Sequence, residues 1–586
     1  MTSPYLDRPW SKHYDPGIPP SLAPYPETTL PALLRASAHK TPDSPALITS
    51  AKLPLLGRQQ SIITYGELDR LSDALAAALI DLGLKKGERV ALVLPNVAAF
   101  PIAFYAVLKA GGVVVGTNPT YPPAKMAHQI NDCDAEIVIT LSLFYKSLKA
   151  IQAQTRVKRL IVTNVKEYLP PLVARLFSLA REKRDGHRVD QLGAGDFWLP
   201  DLLAKYAAVP PPQIPLEPDD KALFQYTGGT TGVSKGAVLT HRILTTNTVQ
   251  LQSSWLQIDD PKFKALDPSR VLFFGVLPLF HAAGLVAVMA QAVAAGSPIL
   301  LVPNPRDIHE LIDLIGHYRP NIFVGVPALY NAINNHPRVK SGRVKLDSLI
   351  VSSSGTAPLS PATKRTYEDL SGNVITEGYG MSECVVTHAN PLIGPTKLGS
   401  VGFPYPDIDC RVVSLEDSEQ DVAAGQLGEI ILHGPTVMQG YHKMPTETAN
   451  VLRQHPDGQV WLHTGDIGYM DEEGYFFLVD RKKDMALIGG YNVYPSNVEK
   501  ALAEHPAVLE AGVAAIAHPE KVGQEALKAW VVFKPGQTAT ATELIAHCEG
   551  LLAPYEVPRR YAFVSELPKT AIGKILRREL AQSEKG

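Results

Sequence analysis

At 586 residues with 45% hydrophobic side chains, the chain can bury several cores, about three or four domain-sized units by length alone. Its 56 Lys and Arg nearly cancel its 58 Asp and Glu, which excludes a global field for gathering nucleic acid or an anionic membrane; any such contact must be local. Cys133, Cys384, Cys410 and Cys548 show neither CxxC spacing nor a paired framework, which excludes a disulfide scaffold and points to free thiols in a reducing compartment.

Met1 to Pro26 is broken by charges and by Pro9, Pro16, Pro19 and Pro20, so it lacks the apolar core of a signal peptide, and secretion is not expected. From Arg89 the pattern is strand (Val90 to Leu94), helix (Val97 to Ala110) and strand (Val113 to Val115), with Gly111-Gly112 closing the helix. Strand-like runs recur at Ala135 to Thr140, Leu160 to Thr163, Ser297 to Val302 and Ile322 to Val326. This βαβ rhythm predicts an α/β fold of mainly parallel sheets covered by helices, with ligands at the strand ends. Between these runs, Tyr168 to Arg188 mixes Leu172, Val173, Leu176, Phe177 and Leu179 with Arg175, Arg181, Lys183 and Arg184. That mixture suits an interfacial helix as well as a helix packed on its own domain.

Ala282 to Pro303 is charge-free and long enough to span a membrane, but Gly284 and the turn-like Gly296-Ser297-Pro298 favour a buried helix followed by a strand. After Asp480, the charge cluster Arg481-Lys482-Lys483-Asp484 and then Gly489-Gly490 mark a flexible connection, dividing the chain into domains 1–480 and 481–586. In the second, a small mobile α+β domain, Ser496 to Glu499 reads as a capping box opening a helix with Val498, Ala501 and Leu502 on one face. Ala529 to Phe533 reads as a strand.

The densest chemical signal is Tyr226-Thr227-Gly228-Gly229-Thr230-Thr231-Gly232-Val233-Ser234-Lys235-Gly236. Glycines let backbone N–H groups approach phosphate oxygens, hydroxyls donate further bonds, and a lysine adds a point charge. The segment is not a Walker A loop, because Ser234 and Gly236 flank Lys235 where that pattern needs Gly and then Ser or Thr. Gly378-Tyr379-Gly380-Met381-Ser382-Glu383 likewise fails as a dinucleotide fingerprint, since Glu383 stands in place of the last glycine.

The loop resembles the signature of the adenylate-forming superfamily of acyl-CoA synthetases, luciferases and peptide-synthetase adenylation domains, and further matches follow in that family's order. Gly378 to Glu383 is similar to its adenine and magnesium motif, with Ser382 in place of the commoner Thr. Thr464-Gly465-Asp466 resembles the ribose motif, Asp480 to Asp484 the hinge, and Pro568 to Lys574 the C-terminal catalytic lysine segment. His281, after Pro278-Leu279-Phe280, takes the place beside the acyl carboxylate, and Ser354-Gly355-Thr356-Ala357-Pro358 resembles a further adenine-contacting loop.

The resemblance implies an AMP-forming ligase that activates a carboxylic acid with ATP and transfers it to coenzyme A through an acyl-adenylate. It assigns catalysis to Lys574, Glu383 and His281, and Mg²⁺ to Thr227 and Glu383. Nucleotide and coenzyme contacts fall to Thr227, Gly228, Gly229, Thr230, Thr231, Gly232, Lys235, Gly355, Thr356, Gly378, Tyr379, Gly380, Ser382, Asp466, Arg481, Gly489 and Gly490. Turning at Asp480-Arg481 would bring Lys574 to the phosphates for one step and the Gly489-Gly490 segment to the pantetheine channel for the other.

Two features resemble bacterial long-chain ligases, the N-terminal Arg8-Pro9-Trp10 with Tyr14 to Pro19 and the Tyr168 to Arg188 segment, so a long-chain fatty acid is the expected substrate. The alternatives are a medium-chain or aryl acid ligase and an enzyme that hands its adenylate to a carrier protein. The expected partners are small molecules and no nucleic acid. The expected location is cytoplasmic, with a peripheral contact at the inner membrane face and a homodimer left open.

Overall fold

The computed structural model describes residues 3–53, 57–227, 234–488, 491–518, 524–570 and 573–584. Val113-Val114-Val115 and the runs like it are buried on both faces, as strands of a helix-covered parallel sheet must be. One sheet has the order Phe197–Trp198, Arg159–Thr163, Ile137–Leu141, Arg89–Val93, Val113–Gly116, Lys221–Tyr226 and Gly236–Thr240. All its neighbours are parallel except the last pair.

A second, larger sheet has a parallel centre of Ile299–Leu301, Phe273–Gly275, Ile322–Gly325, Val351–Ser354 and Ile375–Met381. It continues antiparallel through Val385–Ala389, Ser400–Pro404, Phe476–Arg481, Val460–Met470, Gly428–His433 and Asp409–Val413. The βαβ rhythm located the parallel centres. Antiparallel neighbours need no helical crossover, so that rhythm carries no trace of the extension.

Ala282 to Pro303 forms helical turns and then a strand, as expected, with a π-helical stretch at Leu285–Ala290 before Gln291–Ala295 and Ile299–Leu301. Among the described residues no helix is long and apolar enough to cross a membrane. All four cysteines are buried and unpaired.

Beyond the charge cluster lies a small α+β unit. The strands Val508–Ala517, Glu525–Phe533 and Arg560–Phe563 form its sheet, and Val498, Leu502, Val513, Val531 and Leu544 form its own core. The expected capping box at Ser496 is not formed. The helix Pro495–Ala503 starts two residues earlier, with Tyr494 as its N-cap and no side-chain cap, because proline's fixed φ is pre-organised for the first helical position. Ser496 N–H donates instead to Asp480 at 2.8 Å, and Glu499 accepts from Val513 N–H at 2.8 Å.

The N-terminal segment straps the larger sheet. Arg8 donates two hydrogen bonds to Asp409 at 2.7 and 2.9 Å, and Asp15 accepts backbone N–H groups from Leu392, Ile393 and Gly394. Trp10, 1% exposed, packs edge-on against Phe476 and over Gly474, where a Cβ would stand 2.7 Å from the Trp10 nitrogen. Trp10→Ala is expected to cost about 3–5 kcal/mol, read as a lowered thermal unfolding midpoint. Leu6→Ala, at a position 65% exposed, should leave that midpoint in place.

Candidate active site

A cavity of about 1010 Å³ opens at the carboxyl ends of the parallel strands, bounded by both sheets and by the C-terminal unit. Thr227 follows directly on Lys221–Tyr226. Its N–H donates to the Lys235 carbonyl at 2.9 Å, Lys235 N–H donates to the Thr227 hydroxyl at 3.3 Å, and the Ser234 hydroxyl donates to the Thr227 carbonyl at 2.6 Å. These bonds pin together the two ends of the Gly/Thr-rich loop. Gly228, Gly229, Thr230, Thr231 and Gly232 lie outside the described residues, as do Gly489 and Gly490.

Lys235 forms an ion pair with Glu447, and its ammonium stands 5.1 Å from the Tyr441 ring centre. The Tyr441 hydroxyl donates to Glu383 Oε1 at 2.6 Å; burial and this carboxylate raise its pKa well above the usual phenol value. Neither Tyr441 nor Glu447 was singled out in the sequence, because each gains its meaning only from a neighbour distant in the chain.

Gly378, Tyr379, Gly380, Ser382 and Glu383 all reach the cavity from the end of Ile375–Met381. That strand is irregular between Tyr379 and Gly380, where it pairs with Val385–Ala389. At Gly380 a Cβ would lie 1.9 Å from the Val385 carbonyl oxygen, so the close approach demands glycine. Gly355 and Thr356, after Val351–Ser354, also border the cavity, and Thr356 holds a φ of 71°.

Asp466 is 5% exposed, accepting from the Tyr379 hydroxyl at 2.7 Å and paired with Arg481 Nε at 2.9 Å. The wall at that point consists of Thr464, Gly465, Tyr379 and Arg481. Glu429 supports the turn, accepting from Gly465 N–H at 3.1 Å and Lys482 Nζ at 3.2 Å. Although burial opposes ionisation, His463 and Lys482 hold its carboxyl down at about 2.

His281 borders the cavity beside Ala282, Ala283 and Gly284, and burial lowers its pKa to about 4, so the imidazole is neutral near pH 7. Apolar side chains in the lining include Ala287, Leu251, Trp255 and, from the N-terminal strap, Tyr14 and Ile18. Lys574 enters from the C-terminal unit at the base of a closed turn, in which Thr570 N–H donates to the Lys574 carbonyl at 2.8 Å and Lys574 N–H to the Thr570 hydroxyl at 3.1 Å. Burial, and then the nearby Arg481, lower its ammonium to about 8. Lys235, His281, Glu383, Arg481 and Lys574 therefore share one cavity, although they come from five separate segments.

An AMP-binding enzyme family model matches residues 34–442, and an AMP-binding enzyme C-terminal domain model matches residues 497–574. The chain belongs to the AMP-binding enzyme family. It is 39% identical over 584 residues to a long-chain-fatty-acid–CoA ligase of Bacillus subtilis, covering 98% of each chain. It is 34% identical over 587 residues to the enzyme of the same name from Escherichia coli O157:H7, again covering 98% of each. Among solved structures, ATP-bound MatB from Rhodopseudomonas palustris superimposes with a TM-score of 0.78 at 27% identity, covering 95% of this chain and 99% of that one. The anthranilate CoA ligase AuaEII shares the fold, with a TM-score of 0.79 at 24% identity over 95% of this chain and 98% of that one.

Lys574 is charged below about pH 8 and neutral above it. ATP affinity, measured by calorimetry, is therefore expected to weaken as the pH rises through about 8. Lys574→Ala should bind ATP more weakly and show no such limb; an unchanged pH profile in that variant would assign the limb to another group.

Proposed function

We propose that this protein is an AMP-forming long-chain fatty acid–CoA ligase, converting a fatty acid, ATP and CoA to acyl-CoA, AMP and pyrophosphate. The observation that carries the reading is the meeting of Lys235, Glu383 and Lys574 in one cavity with a neutral histidine and the small residues Ala282, Ala283 and Gly284. A carboxylate oxygen cannot be displaced by a thiol until it becomes a good leaving group. Attack of that oxygen on the α-phosphorus, with loss of pyrophosphate, supplies one; the CoA thiol then displaces AMP.

His281, being neutral, can donate a hydrogen bond to the attacking carboxylate without the full charge pairing that would blunt its nucleophilicity. Lys235 and Lys574 would stabilise the charge redistributed over the phosphates, Lys235 exchanging its Glu447 partner for phosphate oxygens. Among the described residues no group of three or more His, Cys, Asp or Glu forms a ready metal cage. Mg²⁺ usually takes one or two protein oxygens and completes its shell with water and substrate phosphates. Glu383 and the Thr227 hydroxyl would hold the ion, which when bound would neutralise phosphate charge. Residues 1–480 and 481–586 would act as two bodies turning at Asp480-Arg481, with Gly489 and Gly490 facing pantetheine in the second step.

The test is an acid panel with ATP and CoA, following AMP and the thioester by mass. Acids of about C12 to C18 should surpass acetate and benzoate, since each buried CH₂ contributes about 0.8 kcal/mol. Equal turnover of acetate would reject the long-chain reading. Glu383→Ala should lose adenylation at every usable Mg²⁺ concentration.

A peripheral membrane contact is proposed on a separate observation. In the helix Pro171–Ala180, Leu172, Leu176 and Leu179 are 50%, 42% and 87% exposed at spacings that share one face, while Val173 is buried behind them. Arg175, Arg181, Lys183, Arg184 and Arg188 are exposed around that helix, a charge complement for an anionic bilayer. Co-sedimentation with phosphatidylglycerol vesicles should fall sharply in Leu176→Glu/Leu179→Glu; equal sedimentation of this variant would remove the helix from the contact.

A further inference from the structure

Arg577 stands three residues beyond Lys574, at the start of the helix Arg577–Gln582. Its Nη1 donates to Asp480 Oδ1 at 2.6 Å, its Nε and Nη2 donate to Glu499 at 2.9 and 2.6 Å, and Nη2 also donates to the Ser496 hydroxyl. Asp484 lies 3.6 Å from Nη1. These partners lie on opposite sides of the connection between the two units. Asp480 is part of Phe476–Arg481 in the large antiparallel extension, whereas Ser496 and Glu499 are on the first helix of the C-terminal unit.

One guanidinium thus serves three carboxylates. The Asp480 side chain is 1% exposed and that of Glu499 16%, so water does little of the screening. Without the shared cation, Asp480, Asp484 and Glu499 would face one another as like charges at the boundary, a penalty avoided by any orientation that separates and hydrates them. The same arginine is tied closely to the lysine turn. Leu576 N–H donates to the Pro568 carbonyl at 2.8 Å, and Lys569 and Ile575 form a β-bridge, so the segment from Pro568 to Leu576 is closed at its base. Holding Arg577 therefore holds the turn that carries Lys574 into the cavity.

We propose that Arg577 is a positioning residue that selects the domain orientation used for adenylation. It clamps Asp480 of the large unit to Ser496 and Glu499 of the small one, with Lys574 in the cavity. The inference rests on the role given above to Lys574. Replacing Arg577 lowers the fraction of molecules in this orientation without altering the cavity wall, so the two half-reactions should respond unequally.

The experiment compares pyrophosphate exchange with thioester formation from synthetic acyl-adenylate and CoA, in full-length protein. Arg577→Met should lower exchange by roughly tenfold or more and thioester formation by less than about threefold, the size of effect expected when the competent orientation becomes a minor state. Arg577→Lys, which keeps the charge but not the planar fork, should fall between wild type and Arg577→Met. Adding Asp480→Asn and Glu499→Gln to Arg577→Met removes the repulsion and should recover part of the exchange rate, a rescue that a purely structural defect would not give.

Proportionate loss of both steps, unchanged exchange in Arg577→Met, or no recovery in the triple variant would overturn the proposal. If Arg577→Met does not fold, Arg577→Lys and the triple variant carry the same comparison. Lys574→Ala in the same panel separates the two readings. Full exchange in that variant would reject the lysine's role, while loss there with full exchange in Arg577→Met would reject only the clamp.

Discussion

Asp466 is a nearly buried carboxylate held by the Tyr379 hydroxyl on one side and the Arg481 guanidinium on the other, and the cavity is organised around this contact. A buried charge that loses its partner is costly, so the three groups must remain in register. They come from Ile375–Met381, Val460–Met470 and Phe476–Arg481, which bring the Tyr379 loop, the Thr464-Gly465 turn and the start of the hinge to one place. Arg481 also faces outward, where its charge helps to lower the pKa of Lys574. A single ionic contact thus links the cavity wall at Tyr379 to the lysine brought by the other unit.

The electrostatics of the cavity suit a ligand that brings its own negative charge. Lys235, Arg481 and Lys574 converge there, and the carboxylates paired with the first two, Glu447 and Asp466, differ in exposure. The Glu447 side chain is 44% exposed and that of Asp466 only 7%. An exposed pair contributes little and exchanges its partner readily, whereas a buried one is structural. Lys235 can therefore exchange its partner at small cost, while Arg481 keeps its place. The neutral His281 adds no charge of its own to the cavity it borders.

The order of the motifs, the parallel strand runs and the buried helix-then-strand at Ala282 to Pro303 were legible in the sequence, because each is encoded by residues close together in the chain. Glycine at 380 is of the same kind, a local demand set by a carbonyl that would touch any Cβ. Chain-local logic failed at Ser496, whose expected capping partner Glu499 is engaged by Arg577, 78 residues away. That Asp466 is held between Tyr379 and Arg481 is likewise set by packing between strands, not by neighbours in the chain.

The sequence by itself determined which chemical groups this protein has and in what order, enough to assign its family, its α/β class and the expected ATP-dependent chemistry. Only the tertiary structure decided which groups meet: Tyr441 with Glu383 across 58 residues, Arg577 with Asp480 across 97 and Asp15 with Leu392 across 377. The reason is physical. Backbone periodicity and glycine geometry act over a few residues, whereas the partner of a buried charge is chosen by whichever strand or helix the folded chain packs against it, and no spacing in the sequence records that choice.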